Sequence, residues 1–159
     1  MVDIQTISIA IASAGVFAAA IYYIFQIRHQ TKIRQTDLVV ALSSAARSRE
    51  FVEALADTWS AEFKDFDDFV KKYGAPVSRE PVSVSILVIC NFFEHLGVLV
   101  KNKLVDAHLV FQLFAIAHFW EKVKPVVEGM RKEFHEPALY EWFEYLYNEV
   151  KKREQILKT

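Results

Sequence analysis

Three polar residues in an otherwise apolar stretch have the types and spacing that a functional site requires. Asn91 lies three residues before Glu94 and four before His95, so all three fall on one side of a helix. Further along the chain, His118 and Glu121 offer a second imidazole and a second carboxylate. Two adjacent helices that present such groups to each other can build a carboxylate–histidine metal site. One interpretation of the sequence is therefore an enzyme or metal-binding helical protein that uses Glu94 with His95 or His118.

The spacing of these residues argues against a di-iron site. Such sites take Glu-x-x-His from each of two helices together with separate glutamates. Glu94 and His95 are adjacent, so their side chains point about 100° apart on a helix. The pair His118 and Glu121 runs in the opposite order and has no second copy. We therefore predict no metal ligand, no cofactor-binding residue and no catalytic residue.

A structural role accounts better for Glu94. A carboxylate within an apolar helix needs a partner, because a buried charge without compensation is costly. Arg131 is a candidate partner, and Asn91 would complete the hydrogen bonds. We expect Asn91, Glu94 and Arg131 to form a buried polar lock between helices.

Other common catalytic and ligand-binding patterns are missing from the sequence. There is no G-x-S-x-G motif, and four glycines in the whole chain leave little scope for a phosphate-binding loop. The single cysteine, Cys90, cannot form an intramolecular disulfide and lies in an apolar run, where a buried and inert thiol is expected. Acidic and basic residues are equal in number after Ile27, so net charge gives no reason to expect nucleic-acid binding.

Helices must position the polar cluster. Aromatic residues make up 14% of the chain while glycines and prolines number four each, which favours an all-α bundle of about five helices in residues 28–159. The central helix is predicted over Pro81–Lys103 and is apolar nearly all round. Such a helix is buried in a protein core or in lipid, so a second membrane span stays open, although Glu94 in its middle makes that arrangement costly.

Two further helices are predicted to follow. One begins after Asp106, kinks near Glu121 because of Pro125, and packs against the central helix as an antiparallel hairpin. The last begins at Pro137, since proline is favoured in the first turn of a helix.

The N-terminal region contains a segment with the properties of a membrane span. Ile7–Ile27 has 21 residues and no charge, and a helix of this length covers roughly 31 Å, the thickness of a hydrocarbon core. Arg28, Lys32 and Arg34 follow it directly, whereas only Asp3 precedes it.

One such span predicts a single-pass protein of the cell (inner or plasma) membrane. Because basic flanks are kept in the cytoplasm, the charge asymmetry predicts its orientation. Residues 1–27 would be the leader and anchor, with the N-terminus outside. Residues 28–159 would be the cytoplasmic domain, and Arg28, Lys32 and Arg34 would lie at the membrane interface.

Small residues recur on this segment and predict a face for helix association. Ala10, Ala14 and Ala18 are spaced by four, and Gly15 lies beside them. Faces of this kind let helices approach closely in lipid. No residue breaks the helical pattern between Gln26 and Asp37, so the span is predicted to continue into the next segment as one helix.

Several of these stretches resemble a known family. They are NFFEHLGVLVKNKLVD (Asn91–Asp106), the series Trp120, Pro125 and Arg131, and YEWFEYL (Tyr140–Leu146). Together they are similar to domain-of-unknown-function family 4760, a prokaryotic family, over most of residues 35–147. The resemblance implies a small membrane-anchored helical protein and implies no particular activity.

The sequence as a whole favours a non-enzymatic helical interaction or scaffold module anchored in a membrane. Its expected partners are the lipid bilayer and either a second copy of the chain or another membrane protein. We expect no cofactor and no nucleic acid. The enzyme or metal-binding alternative through Glu94 with His95 or His118 stays open at this point.

Overall fold

The computed structural model describes residues 3–157, apart from the side chains of Thr6, Ala10 and Leu157, and this part of the chain is all-α. It contains seven helices and no strand, which confirms the all-α class that the composition predicts. In chain order the helices are α1 (Ile4–Ala46), α2 (Arg49–Ser60), α3 (Phe66–Tyr73), α4 (Pro81–Lys101), α5 (Ala107–Leu113), α6 (Ile116–Glu133) and α7 (Glu141–Leu157).

The chain divides into two compact units, Met1–Val40 and Ala41–Thr159. The first unit consists of most of α1. The predicted boundary between Ile27 and Arg28 marks a change in composition, whereas the boundary between the units lies further along α1.

The first unit exposes its apolar residues. Every described side chain from Ile4 to Arg34 is exposed, including large ones such as Phe17 at 71% and Phe25 at 64%. The helix runs without interruption from Gln26 to Asp37, as predicted. An apolar surface of this extent, uncovered by the unit itself, calls for another apolar medium or surface to cover it.

Two helices of the described chain are long and apolar enough to cross a membrane. One is α1 from Ile7 onward, and none of its most apolar 18-residue window is buried. The other is α4, with 44% of its window buried. Length and composition alone do not separate a span from the core helix of a folded domain.

In the second unit, α4 is the core helix. It packs mainly against α2 and α7, while α6 packs on α7 and α3 packs on α6. Ile86, Ile89, Phe93 and Leu96 along α4 are at most 1% exposed. The ring of Phe93 stacks on that of Phe143 from α7, with 4.7 Å between their centroids.

The helix predicted after Asp106 is divided in two. Asp106 caps α5 as expected, with its side chain accepting from the amide of His108, but Phe114 has an extended backbone and ends the helix. The extension lets the ring of Phe114 pack against Phe92, with centroids 5.5 Å apart. This break accounts for six helices after α1 instead of about five. The helix that follows Asp106 was predicted to pack against α4 as a hairpin. The main neighbours of α4 are instead α2 and α7.

The last helix begins at Glu141, four residues after the predicted start at Pro137. Residues 137–140 form turns, and Tyr140 has a left-handed backbone with φ of 58°. Tyr140 is only 8% exposed. The left-handed backbone of Tyr140 is not helical, so α7 cannot start before it. The ring of the same residue is buried in this conformation.

Candidate functional site

One face of α4 holds the N-terminal end of α7, and we call this contact the α4–α7 joint. On α4 it consists of residues spaced by four, three and four, which fall on one helix face. The residues of the joint are Cys90, Glu94, Gly97 and Lys101 from α4, and Tyr140, Trp142, Phe143 and Tyr145 from α7 and the residue before it.

Glu94 caps α7 from another helix. Its Oε2 atom accepts hydrogen bonds from the backbone amides of Trp142, at 3.0 Å, and Phe143, at 2.9 Å. The first amides of a helix have no acceptor within the helix, and a side chain of the preceding residue usually serves them. That residue here is Tyr140, which is not a capping type, so the carboxylate of Glu94 takes this role. Its negative charge also suits the positive end of the helix dipole.

The electrostatics of Glu94 are dominated by its burial. Removal from water raises the pKa of its carboxyl above the ordinary value of 4.5. The two amide hydrogen bonds oppose that rise in the pKa, as does the charge of Arg131, whereas the charge of Glu141 adds to it. Burial therefore outweighs the capping bonds, and ionised Glu94 is held at some cost.

Cys90 and Tyr140 lie beside this carboxylate and are both kept neutral. Burial raises the pKa of the Cys90 thiol, and the nearby charge of Glu94 raises it further. Burial likewise raises the pKa of the Tyr140 hydroxyl, with smaller contributions from Cys90 and Glu94. A thiol attacks as the thiolate, so Cys90 is suited to packing and not to nucleophilic chemistry. The predicted burial of Cys90 is confirmed.

Gly97 and Lys101 set how closely the two helices approach. A Cβ atom at position 97 would lie 2.3 Å from the backbone carbonyl oxygen of Trp142, so only glycine fits there. One turn further, the ammonium of Lys101 lies 5.8 Å from the Trp142 ring centroid and 5.1 Å from that of Tyr145. These are cation–π distances.

Arg131 binds the same end of α7 from α6. Its Nε atom donates to the carbonyl oxygen of Leu139 at 2.8 Å, and its Nη1 atom donates to Oε2 of Glu144 at 2.8 Å. The guanidinium carbon lies 5.9 Å from the ring centroid of Trp120. With 18% of its side chain exposed, Arg131 ties three parts of the chain together.

The structure thus brings Glu94 and Arg131 to one place but gives them different partners. The expected hydrogen bonds between them are replaced by amides of α7 for Glu94 and by Leu139 and Glu144 for Arg131. Asn91 is exposed. One feature of the sequence is consistent with capping of α7 by Glu94: no capping residue directly precedes the observed start of α7. That feature could be interpreted only once the helix start was known.

The histidines of the metal alternative lie outside this joint. His95 and His118 are both exposed. Glu121 forms an ion pair with Lys151 at 3.0 Å. Among residues 3–157 with described side chains, no three histidine, cysteine, aspartate or glutamate residues are grouped so that they could hold a metal ion. The arrangement around Glu94 is thus suited to holding α7 in place.

The residues predicted to meet the membrane lie on the first unit. Arg28, Lys32 and Arg34 are exposed on α1. Of the predicted association face, Ala14, Gly15 and Ala18 are exposed, and a Cβ at Gly15 would have no heavy atom within 4 Å. The side chain of Ala10 lies outside the described part of the structure.

Comparison with known proteins identifies a family without indicating an activity. No curated protein and no solved structure matches the chain. The family described as "Domain of unknown function (DUF4760)" matches residues 9–150, which include most of the apolar segment of α1 and the whole α4–α7 joint. The chain therefore belongs to the DUF4760 family.

Proposed function

We propose that this protein is a membrane-anchored helical interaction module. In this proposal α1 crosses the cell membrane once, with the N-terminus outside and the second unit in the cytoplasm. The module assembles with a second copy or with another membrane protein. The observation that carries the proposal is the exposure of an uncharged 21-residue segment, Ile7–Ile27, on a continuous helix.

The physical argument concerns what covers this segment. A helix that is apolar all round is stable when it is surrounded by lipid or by a protein core. Within the first unit every described side chain of Ile7–Ile27, which leaves out that of Ala10, is exposed. Its length of about 31 Å suits a bilayer, in which the helix satisfies its own backbone hydrogen bonds.

The orientation follows from the flanking charges. Arg28, Lys32 and Arg34 follow the segment, and Asp3 is the only charged residue before it. Basic residues next to a span are retained on the cytoplasmic side. This supports a cytoplasmic position for the second unit, where its single free thiol would also stay reduced.

An interaction role fits the site better than a catalytic one. The carboxylate of Glu94 accepts hydrogen bonds from α7, and the Cys90 thiol and the Tyr140 hydroxyl are held neutral. The exposed small residues Ala14, Gly15 and Ala18 support close approach of a second span. Assembly within the membrane is therefore the activity that we propose.

Membrane fractionation of the full chain with a C-terminal tag tests anchorage. We expect the tagged protein to stay with the membranes through high salt and alkaline carbonate, which remove peripheral proteins. A variant without residues 1–27 should become soluble. In spheroplasts the C-terminal tag should resist external protease. Release of the full chain by carbonate, or digestion of the tag, would overturn the anchorage or the orientation, respectively.

Crosslinking in membranes tests self-assembly. Gly15→Ile places a branched side chain on the proposed association face and should reduce the crosslinked dimer. Ala20→Ile adds similar bulk about 140° away around the helix and is the matched control. Equal dimer in both variants would exclude this face. A monomer in the unchanged protein would point to a different membrane partner.

A further inference from the structure

Three basic residues follow the apolar segment of α1. They are Arg28, Lys32 and Arg34, and we call them the basic collar. From Ile4 to Thr36 these are the only charged residues apart from histidine, so this stretch carries three positive charges and no negative one. The next acidic residue is Asp37. All three side chains of the collar are exposed.

None of the collar residues has an ion-pair partner among the described residues of the chain. In the second unit, by contrast, several basic side chains form ion pairs with carboxylates, as Lys151 does with Glu121 at 3.0 Å. The collar therefore presents charge that the first unit does not neutralise.

The depth of the collar matches one headgroup layer. The rise along the helix from Arg28 to Arg34 is about 9 Å. A bilayer has a polar layer of roughly 5–8 Å on each side of its hydrocarbon core, and long basic side chains can bend along the helix to reach it. Arg28 and Lys32 share one face, and Arg34 lies on another, so the charges are on two sides of the helix.

The surface at the collar is also divided into apolar and basic parts. An open groove on this stretch combines apolar side chains with basic ones and is lined by Phe25, Ile27, Arg28, His29, Thr31 and Lys32. The hydroxyl of Thr31 donates to the carbonyl of Ile27 at 2.9 Å and is thereby satisfied. A surface that changes from apolar to cationic within two turns matches the boundary between the acyl chains and the phosphate of a phospholipid.

We propose that the basic collar binds the headgroups of anionic phospholipids in the cytoplasmic leaflet. The inference rests on the proposed membrane span, because Ile7–Ile27 fixes the depth of the collar. It adds that the protein selects its lipid neighbours by charge.

Spin-labelled lipids test the selectivity. The full chain is reconstituted into phosphatidylcholine vesicles that contain a trace of either spin-labelled phosphatidylglycerol or spin-labelled phosphatidylcholine. The fraction of label immobilised at the protein gives the relative association constant of each lipid. We expect the anionic lipid to be favoured by about fivefold, the worth of one basic side chain at an anionic surface, and the preference to fall at high salt.

Substitution of the collar gives the decisive comparison. The triple variant Arg28→Gln, Lys32→Gln and Arg34→Gln should lose the preference. The matched control is Arg47→Gln, Lys71→Gln and Arg79→Gln, which removes the same charge from exposed positions of the second unit and should retain it. Equal association of the two lipids with the inserted chain, or an unchanged preference in the collar variant, overturns this inference alone. Failure of the chain to insert overturns the proposed function with it.

Discussion

The side chain of Glu94 and the backbone of Phe143 are joined by a hydrogen bond of 2.9 Å, although 49 positions separate them in the chain. The same oxygen accepts from Trp142. One carboxylate on the core helix α4 therefore fixes where α7 begins. The α4–α7 joint depends on the Glu94 carboxylate. Mutation can separate the effect of its negative charge from that of its hydrogen-bond acceptor oxygen.

Glu94→Ala should destabilise the second unit by about 1–3 kcal/mol. It leaves two helix N-terminal amides without their acceptor in a partly buried place. Glu94→Gln keeps a carbonyl oxygen for both amides and removes a charge held at some cost, so its stability should stay within about 1 kcal/mol of the unchanged protein.

Urea unfolding of the full chain in detergent, followed by tryptophan fluorescence, measures these differences. All three tryptophans lie in the second unit, so the signal reports that unit. His95→Ala at the exposed neighbouring position is the control and should have little effect. Equal losses from the alanine and glutamine variants of Glu94 would show that its charge, and not its acceptor oxygen, stabilises the joint.

The stability contributed by Glu94 should decrease as the pH rises. Burial raises the pKa of this carboxyl above 4.5, so the folded protein binds the proton more tightly than the unfolded chain does. The contribution is therefore complete below pH 4.5 and is lost as the pH passes upward through the raised pKa of the folded state.

Because glutamine does not titrate, the pH series should compare the unchanged protein with Glu94→Gln. The free energy of unfolding of the unchanged protein, relative to that variant, should fall as the pH rises above 4.5. Glu133→Gln, at an exposed position outside the joint, controls for the loss of an acidic residue. A relative stability that increases with pH would mean that the amide bonds outweigh burial.

Much of the second unit could be predicted from local patterns. Ser48 and Asp65 begin α2 and α3 as caps, and Gly74 ends α3 with a φ of 76°. The apolar stripe of α4 predicted its burial. These signals are local, because capping geometry and helical periodicity involve residues within a few positions of one another.

What could not be predicted depends on contacts between distant residues. The break at Phe114 serves the packing of its ring on Phe92, and the left-handed Tyr140 accompanies the burial of its own ring. Neither has a marker such as glycine or proline at the break itself. The partners of Glu94 were missed for the same reason: every residue except proline has a backbone amide N–H, so the sequence does not show which helix end a carboxylate will meet.

The pair of Arg131 and Glu144 should show a coupling of about 1 kcal/mol. The arginine is largely buried and the Nη1–Oε2 distance is 2.8 Å, but 38% of the glutamate side chain is exposed, which weakens the pair toward the range of surface salt bridges. A double-mutant cycle with Arg131→Gln and Glu144→Gln measures this coupling. Arg131→Gln alone should cost more than Glu144→Gln, because only the arginine also donates to Leu139. Equal costs would mean that the bond to Leu139 adds nothing.

Gly97→Ala should be the most disruptive of the single-methyl changes in this protein's α4–α7 joint. The added Cβ would lie 2.3 Å from the carbonyl oxygen of Trp142, and that atom belongs to the backbone. Relief of the clash requires α4 and α7 to separate, which would lengthen the bonds from Glu94 to α7 at the same time. We expect a loss of about 1–3 kcal/mol in urea unfolding. Gly15→Ala makes the same chemical change where no atom lies within 4 Å, and it should leave unfolding of the second unit unchanged. A Gly97→Ala protein as stable as the unchanged one would show that the two helices can part without cost, and that the capping bonds of Glu94 do not require this close approach.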